Sequence, residues 1–200
     1  MIRSMVRSTI NNEQWYKSML AGNVITGDYE LIESTILTGT VADVTFTGLG
    51  SYSSTYKHLQ LRWSCRTNQS GVEQSYVAIQ INGDGLPANN YFWHFLESSE
   101  NTIASSANAP TSNLRIGLTA ATNATADVFG VGVSDLLDVY STTKNKTVRS
   151  FSGSYNSADS RRVGIYSGAR NNTESTTSIK IVSTGSFISG SRFSLYGIRG

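Results

Sequence analysis

Cysteine, proline and charged residues are scarce in this chain. It has one cysteine, two prolines and 15% charged residues among 200. A single cysteine excludes an intrachain disulfide, so the hydrophobic core must hold the fold together. Cys65 falls on the apolar face of its segment, where we expect a small buried hydrophobic residue. Ser, Thr, Asn and Gly fill most polar positions, a composition common in extracellular and particle-borne β proteins.

The chain also lacks a large excess of positive charge. Its formal net charge of +2 is too small for the broad positive field on which nonspecific nucleic-acid binding depends. Basic residues cluster only locally and without an aromatic stacking motif, at Lys144, Lys146, Arg149, Arg161 and Arg162. We therefore predict solvated loop and strand-end charges at these positions, and no nucleic-acid partner.

Long hydrophobic runs are absent as well. Arg3, Arg7 and Glu13 interrupt the N-terminal apolar residues, so no stretch there reaches the length of a signal peptide. No window approaches the length of a membrane span. We predict synthesis in the cytoplasm, no membrane insertion, and an outside location reached by another route, such as incorporation into a particle released by lysis.

Groups suited to catalysis are few. His58 and His94 lie on separate segments without a nucleophile motif, and histidine and cysteine are too few for a transition-metal site. Glycan hydrolysis requires two carboxylates at a defined separation, but no spacing singles out a pair. The candidates are Asp84, Glu97, Glu100, Asp127, Asp135 and Asp138. We predict a protein that is not an enzyme, with no catalytic residue, no metal and no cofactor.

Alternation with a period of two dominates the chain from Tyr29 onward. Over residues 57–66 the apolar side chains occupy every second position, namely Leu59, Leu61, Trp63 and Cys65. This is the period of a strand with one solvated face. The pattern recurs to the last residue, and neither a helical crossover pattern nor a fixed-period repeat intervenes. The sequence predicts one all-β domain over residues 28–200, an antiparallel two-sheet sandwich of jelly-roll type.

The same alternation predicts which side chains face the core. The predicted inward residues are Val44, Phe46, Val77, Ile79, Ile81, Val163, Ile165, Ile179, Ile181, Phe193 and Leu195. The stretch Ser98–Ser112 shows no clear period and contains Pro110. We predict that it is an exposed loop at one end of the sandwich.

Residues 1–27 differ from the rest of the chain and predict an N-terminal anchor segment. Asn11 and Gln14 have the spacing of a capping box, which predicts a short helix over Asn11–Ala21. Its large apolar residues are Trp15, Tyr16, Met19 and Leu20. Because three helical turns are marginal alone in water, this helix must pack on its own sandwich or anchor the domain to a larger particle.

Asn82-Gly83-Asp84-Gly85 joins two predicted strands. Asn, Asp and Gly tolerate positive φ, so this composition favours a tight turn. Its oxygen-bearing side chains leave a cation site as the alternative, although the further acidic ligands of an EF-hand loop are missing.

Tyr91–Phe95 is apolar at every position except His94, and therefore on both faces of a strand. Either the segment lies in a sheet that is covered on both sides, or one face presents aromatic rings to a ligand. Rings on a rigid sheet can stack on the apolar face of a sugar. In that case Tyr91 and Trp93 are the expected glycan contacts, together with the stretch Ser98–Ser112.

Five short phrases follow one another along the chain: Asp28–Ile32, Thr55–Arg62, Ile81–Gly85 with Asn90-Tyr91, Leu136–Tyr140 leading to Lys144–Arg149, and the terminal Ser191–Gly200. Together and in this order they resemble a family of small structural proteins from tailed bacteriophages, notably phages of marine and cyanobacterial hosts. The resemblance spans about residues 28–200, and the terminal phrase is its most specific part.

The resemblance implies a non-enzymatic virion component, tail-associated, fibre-like or capsid-decorating, with no established catalytic residues to carry over. Residues 1–27 lie outside the shared phrases, where a particle-specific anchor is expected to vary. The expected partners are other capsid or tail proteins and further copies of this chain in a homo-oligomer such as a trimer, since open sheet edges need cover. The alternatives are a carbohydrate-binding adhesin for host-surface glycans and, less favoured, a hydrolase of envelope polysaccharide.

Overall fold

The computed structural model describes residues 28–85, 88–157 and 160–200, and the regular secondary structure of these residues is nearly all β-strand. They form twelve strands and one short 3₁₀ helix at Leu49–Tyr52. The strands are β1 (Tyr29–Ile36), β2 (Val41–Phe46), β3 (His58–Cys65), β4 (Gln74–Ile81), β5 (Tyr91–Ser99), β6 (Thr102–Thr111), β7 (Leu114–Ala120), β8 (Gly130–Leu137), β9 (Lys146–Ser157), β10 (Ser160–Arg170), β11 (Ile179–Phe187) and β12 (Arg192–Ile198).

The strands form two antiparallel sheets. The larger has eight strands in the order β1-β12-β3-β8-β9-β10-β5-β6, and the smaller has four in the order β2-β11-β4-β7. This confirms the predicted all-β, two-sheet sandwich. The predicted anchor segment 1–27, with the helix Asn11–Ala21, lies outside the described residues.

The hydrophobic core lies between the two sheets, and alternating strands supply it from both sides. On β3, Leu59 and Leu61 are fully buried while Arg62 between Leu61 and Trp63 is exposed. The predicted inward residues on β2, β4, β11 and β12 are all buried, which confirms the prediction for Val44, Phe46, Val77, Ile79, Ile81, Ile179, Ile181, Phe193 and Leu195. Cys65 is also fully buried, as expected.

The prediction of a loop over Ser98–Ser112 was wrong. Its first residues complete β5, and most of the rest form β6, which pairs with β5 in a hairpin whose turn contains Glu100 at φ 53°. Strand β6 is the edge of the larger sheet and is exposed along its described length as far as Pro110. Because neither face of β6 enters the core, its sequence carries no apolar alternation, and an edge strand tolerates proline.

The inward direction predicted for Val163 and Ile165 was also wrong. These side chains are 45% and 56% exposed and point away from the core, while Tyr166 between Ile165 and Ser167 is buried at 1% exposure. The alternation of β10 was predicted correctly, but its phase relative to the core was not.

Candidate functional site

A cluster of large apolar side chains lies on the outer side of the eight-stranded sheet. Its members are between 45% and 76% exposed and belong to strands β8, β9, β10, β5 and β6. In register, Phe151 pairs with Ile165 and Ile165 with Leu96, so the side chains form continuous rows across neighbouring strands. We call this cluster the apolar outer face, and it consists of Leu96, Ile103, Val131, Phe151, Val163 and Ile165. Large contiguous apolar patches are uncommon on the surfaces of soluble monomers and often mark contact surfaces.

Several inner positions of β8, β9 and β10 hold glycine or serine where a sandwich core ordinarily holds larger residues. A Cβ added to Gly132 would lie 2.3 Å from Cζ2 of Trp63, so the indole leaves no room for a side chain there. Ser134 and Ser150 are buried with their hydroxyl oxygens 2.8 Å apart. The Ser150 hydroxyl also donates to the carbonyl of Ile116 in the other sheet at 2.6 Å. We call β8, β9 and β10 the inverted strands, because their exposed apolar side chains lie on the outer side while these inner positions hold glycine or serine, although each strand also buries one larger apolar or aromatic side chain.

The other half of the same outer side has a different character. Tyr29 and Tyr196 stack with their ring centroids 4.8 Å apart. The Arg62 guanidinium lies 5.4 Å and 5.2 Å from the two centroids, a cation–π geometry. The Tyr29 hydroxyl donates to Gln60, whose amide donates to Asp135 at 2.8 Å. Exposed rings in this half therefore already have partners within the chain.

A groove lies at the corner where the two sheets differ in width. Strand β7 is an edge of the smaller sheet and packs mainly on β9 and β10, so β5 and β6 extend past it. The groove has a volume of about 540 Å³, within the range of small-molecule sites. We call it the corner groove, and its lining includes Gln74, Tyr76, Glu97, Arg115, Ser160 and Arg162.

Arg115 links the two walls of the corner groove. It lies on β7 beside Ala78 of β4, and its guanidinium reaches over the edge to Glu97 on β5, with Nη2 3.4 Å from Oε2. Four aromatic rings surround the guanidinium carbon at 4.6–5.8 Å, those of Tyr76, Phe95, Tyr166 and Trp93. This packing holds the planar cation in one orientation.

Glu97 is the anionic centre of the same cluster. The buried Tyr166 hydroxyl donates to its Oε2 at 2.7 Å, and burial followed by this hydrogen bond raises the pKa of Tyr166. Arg162 on β10 lies 3.8 Å from the other carboxylate oxygen. Three buried polar atoms of the groove residues have no hydrogen-bond partner in the described part of the chain: Nε of Arg115, Nε of Arg162 and Oε1 of Gln74.

The two predicted glycan contacts are placed differently. Tyr91 is fully buried, and its hydroxyl oxygen accepts a hydrogen bond from the amide of Ile81 at 2.6 Å. Its ring is therefore closed to a stacking ligand, which corrects the role expected for it. Trp93 is half-buried, stacks beside Phe95 at 6.1 Å and contacts Arg115, so it adjoins the groove. Trp93 reaches the groove through its contact with Arg115, a residue that the sequence pattern did not single out.

The segment Asn82–Gly85 adopts the geometry of a turn. Asn82 and Gly83 have φ of 57° and 75°. The carboxylate of Asp84 accepts two hydrogen bonds from the fully buried Arg170, at 2.6 Å and 3.1 Å. Burial raises the pKa of Asp84, but the hydrogen bonds and charge of Arg170 outweigh it and hold that pKa below its usual value. The Asp84 oxygens considered for a cation therefore bind a guanidinium, and Oδ1 of Asn82 accepts a hydrogen bond from the amide of Thr177 at 2.7 Å. The described residues contain no cluster of three metal-ligating side chains.

Three of the other carboxylates considered for hydrolysis are also paired with cations. Glu100 binds Arg161 at 2.6 Å, Asp135 binds Arg149 at 3.0 Å and Asp138 binds Lys144 at 2.8 Å. Hydrogen bonds from their partners lower the pKa of Glu100 and of Asp138. A glycosidase acid requires the opposite direction. Asp127 lies in a turn with φ 61°.

The two histidines lie on strands that are far apart in the sheet, and one residue of the basic cluster, Lys146, is buried. Nδ1 of His58 accepts a hydrogen bond from the amide of Asp138 at 2.9 Å. His94 is exposed on β5, four strands from β3 in the sheet, a separation of about 19 Å. Lys146 is fully buried, and its ammonium group donates to the carbonyls of Lys144 and Thr173 at 3.1 Å, so the prediction of a solvated charge was wrong there.

In the described residues, no helix is long and apolar enough to span a membrane. No model of a known protein family matches the chain, and no curated protein matches it. The features of this protein that bear on its function are therefore the apolar outer face, the corner groove and the order of its sequence phrases.

Proposed function

We propose that this protein is a non-enzymatic structural component on the surface of a tailed-phage virion, where copies of the chain associate through the apolar outer face. The observation that carries the proposal is the inversion of β8, β9 and β10. Large side chains such as Phe151 and Ile165 are exposed, while several inner positions of the same strands hold only Gly or Ser. A free monomer gains nothing from this arrangement, but an assembly buries the exposed side chains.

A second copy of the same chain is the occupant that the charges favour. Asp135 with Arg149, and Glu100 with Arg161, flank the apolar outer face, and both pairs are closed within the chain. The face thus presents little uncompensated charge to select a partner of opposite sign. An apolar surface whose neighbouring charges are paired within the chain suits contact with further copies of the same chain, as in symmetric oligomers. The proposal includes a homo-oligomer, with a trimer as its expected form.

In this proposal the segment 1–27 attaches the protein to other capsid or tail proteins. Its support is the amphipathic pattern of Trp15, Tyr16, Met19 and Leu20, and its position outside the phrases shared with phage structural proteins. Attachment at the N-terminus and association through a sheet face are separable functions, so each can be tested alone.

Self-association is tested by two substitutions matched for exposure. Ile165 and Leu31 are each 56% exposed on the outer side of the same sheet, but only Ile165 belongs to the apolar outer face. We expect the native chain to sediment as an oligomer at micromolar concentration, Ile165→Lys as a monomer, and Leu31→Lys as the native oligomer. A native chain that sediments as a monomer, or equal behaviour of the two variants, contradicts the assembly proposal.

Attachment is tested in the full chain by replacing Trp15 and Met19 with serine. We expect the doubly substituted protein to fold, as judged by an unchanged circular dichroism spectrum, and to be missing from purified particles of a phage that carries it. Normal incorporation of this variant contradicts the anchoring role. Imaging of intact particles that contain the native protein distinguishes capsid from tail.

Carbohydrate binding is the second candidate function, and the corner groove favours it. The groove combines an aromatic ring, two guanidinium groups and an amide, which are common in saccharide sites. Hydrolysis of polysaccharide is less favoured, because the carboxylates considered for it are held by cations, apart from Asp127.

A further inference from the structure

We infer that the corner groove binds a neutral saccharide unit, with Tyr76 as the stacking surface and Arg115, Arg162 and Gln74 as the hydrogen-bonding groups. The inference concerns a different surface from the proposed assembly contact. The groove is formed on the core side of β5 and β10 and the edge of the smaller sheet, whereas the apolar outer face lies on the opposite side of the larger sheet. An assembly that covers the apolar outer face therefore leaves the groove open.

The unused hydrogen-bonding capacity of the groove indicates the type of ligand. Nε of Arg115 and Nε of Arg162 are donors, Oε1 of Gln74 is an acceptor, and all three atoms lie just below the groove surface without a hydrogen-bond partner among the described residues. A buried polar atom without a partner is unfavourable, so a ligand that completes these bonds after a small shift of the side chains gains affinity. A carboxylate or phosphate could satisfy the donors alone. A sugar hydroxyl both donates and accepts, so neighbouring hydroxyls can satisfy both kinds of atom.

The charges of the groove favour a neutral ligand. Two cations, Arg115 and Arg162, face two anions, Glu97 and Glu73, among the residues that line it. Glu97 lies within 4 Å of both arginines, at 3.4 Å and 3.8 Å. The site therefore has no net formal charge with which to attract a polyanion, and selection depends on hydrogen bonds and ring stacking.

The side chains of the corner groove are held in place by contacts within the chain. Side chains that are already fixed lose little entropy when a ligand binds. Arg115 is held by four rings and by Glu97, and Glu97 is held by the Tyr166 hydroxyl. Tyr76 is 47% exposed at the groove, so its ring has surface left for the apolar face of a sugar.

Binding is measured by saturation-transfer NMR and titration of the full chain with neutral gluco-, manno- and galacto-configured hexasaccharides, and with hexagalacturonate as the acidic comparison. We expect one neutral hexasaccharide to bind, and Tyr76→Ala to weaken its affinity about tenfold. Tyr29→Ala is the matched control, because Tyr29 is 39% exposed on the outer side of the other sheet. It should leave the affinity unchanged.

A second pair of variants guards against a loss of folding in Tyr76→Ala. Gln74→Leu removes the free acceptor, and Gln80→Leu makes the same change on the same strand outside the groove. We expect only Gln74→Leu to weaken binding. Absence of binding by every neutral hexasaccharide at millimolar concentration overturns the inference, and so does equal weakening by a variant and its control. Binding of hexagalacturonate alone overturns it in favour of an anion site. None of these outcomes depends on whether the chain assembles into particles.

Discussion

Strands β4 and β10 both alternate with a period of two, but they place their apolar side chains on opposite sides. On β4, Val77, Ile79 and Ile81 are fully buried against the larger sheet. On β10, Val163 and Ile165 are exposed while Tyr166 faces the core. Alternation therefore shows that a strand has two different faces, but it does not show which face is inside. The apolar face of an inverted strand is available to a partner, and the following substitutions test that distinction.

The largest effect is expected for Ile79→Ala on β4. Ile79 is fully buried in the core, so its truncation removes buried apolar surface and leaves a cavity. We expect the free energy of unfolding to fall by about 4 kcal/mol. Urea unfolding followed by tryptophan fluorescence measures it. A loss below about 1 kcal/mol would show that the space around this site collapses or that β4 is not part of the core.

The next effect is expected for Gly132→Ala on β8. The new Cβ would lie 2.3 Å from the rigid indole of Trp63, so the sheets must move apart or the ring must shift. We expect a loss of about 3 kcal/mol. Gly153→Ala on the outer side of β9 is the matched control, because its Cβ would meet only the carbonyl of Arg162 at an ordinary 3.5 Å. Equal stability of the two variants would mean that the inner side of β8 is not close-packed.

A smaller effect is expected for Ser150→Ala on β9. The substitution removes the hydroxyl that donates to the carbonyl of Ile116 and contacts Ser134, while the methyl group fits the same space. We expect a loss of about 1–2 kcal/mol in thermal or urea unfolding. Ser167→Ala, on the outer side of β10, should change stability much less. A stabilising effect of Ser150→Ala would show that the inner side of the inverted strands accepts apolar groups.

The smallest effect on the fold is expected for Ile165→Ala. It is the same chemical change as Ile79→Ala, but the side chain is 56% exposed. We expect the unfolding free energy to change by less than about 0.5 kcal/mol when measured at protein concentrations where the chain is monomeric. At higher concentrations the same variant should weaken self-association. A large destabilisation of the monomer would place Ile165 in the core and remove the basis of the apolar outer face.

Most of the fold was predictable because its signals are local. The strand period, the turn residues of Asn82–Gly85 and the buried faces of β2, β3, β4, β11 and β12 all follow from short stretches of sequence. Strand β6 was missed because an edge strand with two exposed faces has no hydrophobic pattern to detect. The predicted anchor residues remain a prediction, since they lie outside the described part of the chain.

The candidate groove was much less predictable. Arg115 appears in the sequence as one charge within an apolar strand, and Glu97 as one of several carboxylates without a distinguishing spacing. They meet because β7 is an edge strand that packs beside β5 across the sandwich. Trp93 was selected for its aromatic surroundings, but Tyr91 in the same segment is buried, and only the packing of β4 against it separates the two.

The order of the residues by itself determined that this protein is a two-sheet β-sandwich, because period-two alternation and turn chemistry act over a few neighbouring residues. Tertiary structure alone decided which side of β8, β9 and β10 faces inward. The Trp63 indole lies so close to β8, and the carbonyl of Ile116 so close to β9, that small residues occupy these inner positions, Gly132 and Ser150. Their neighbours along the chain, Val131 and Phe151, are therefore directed outward, and that contact between distant segments leaves no signal in the local pattern.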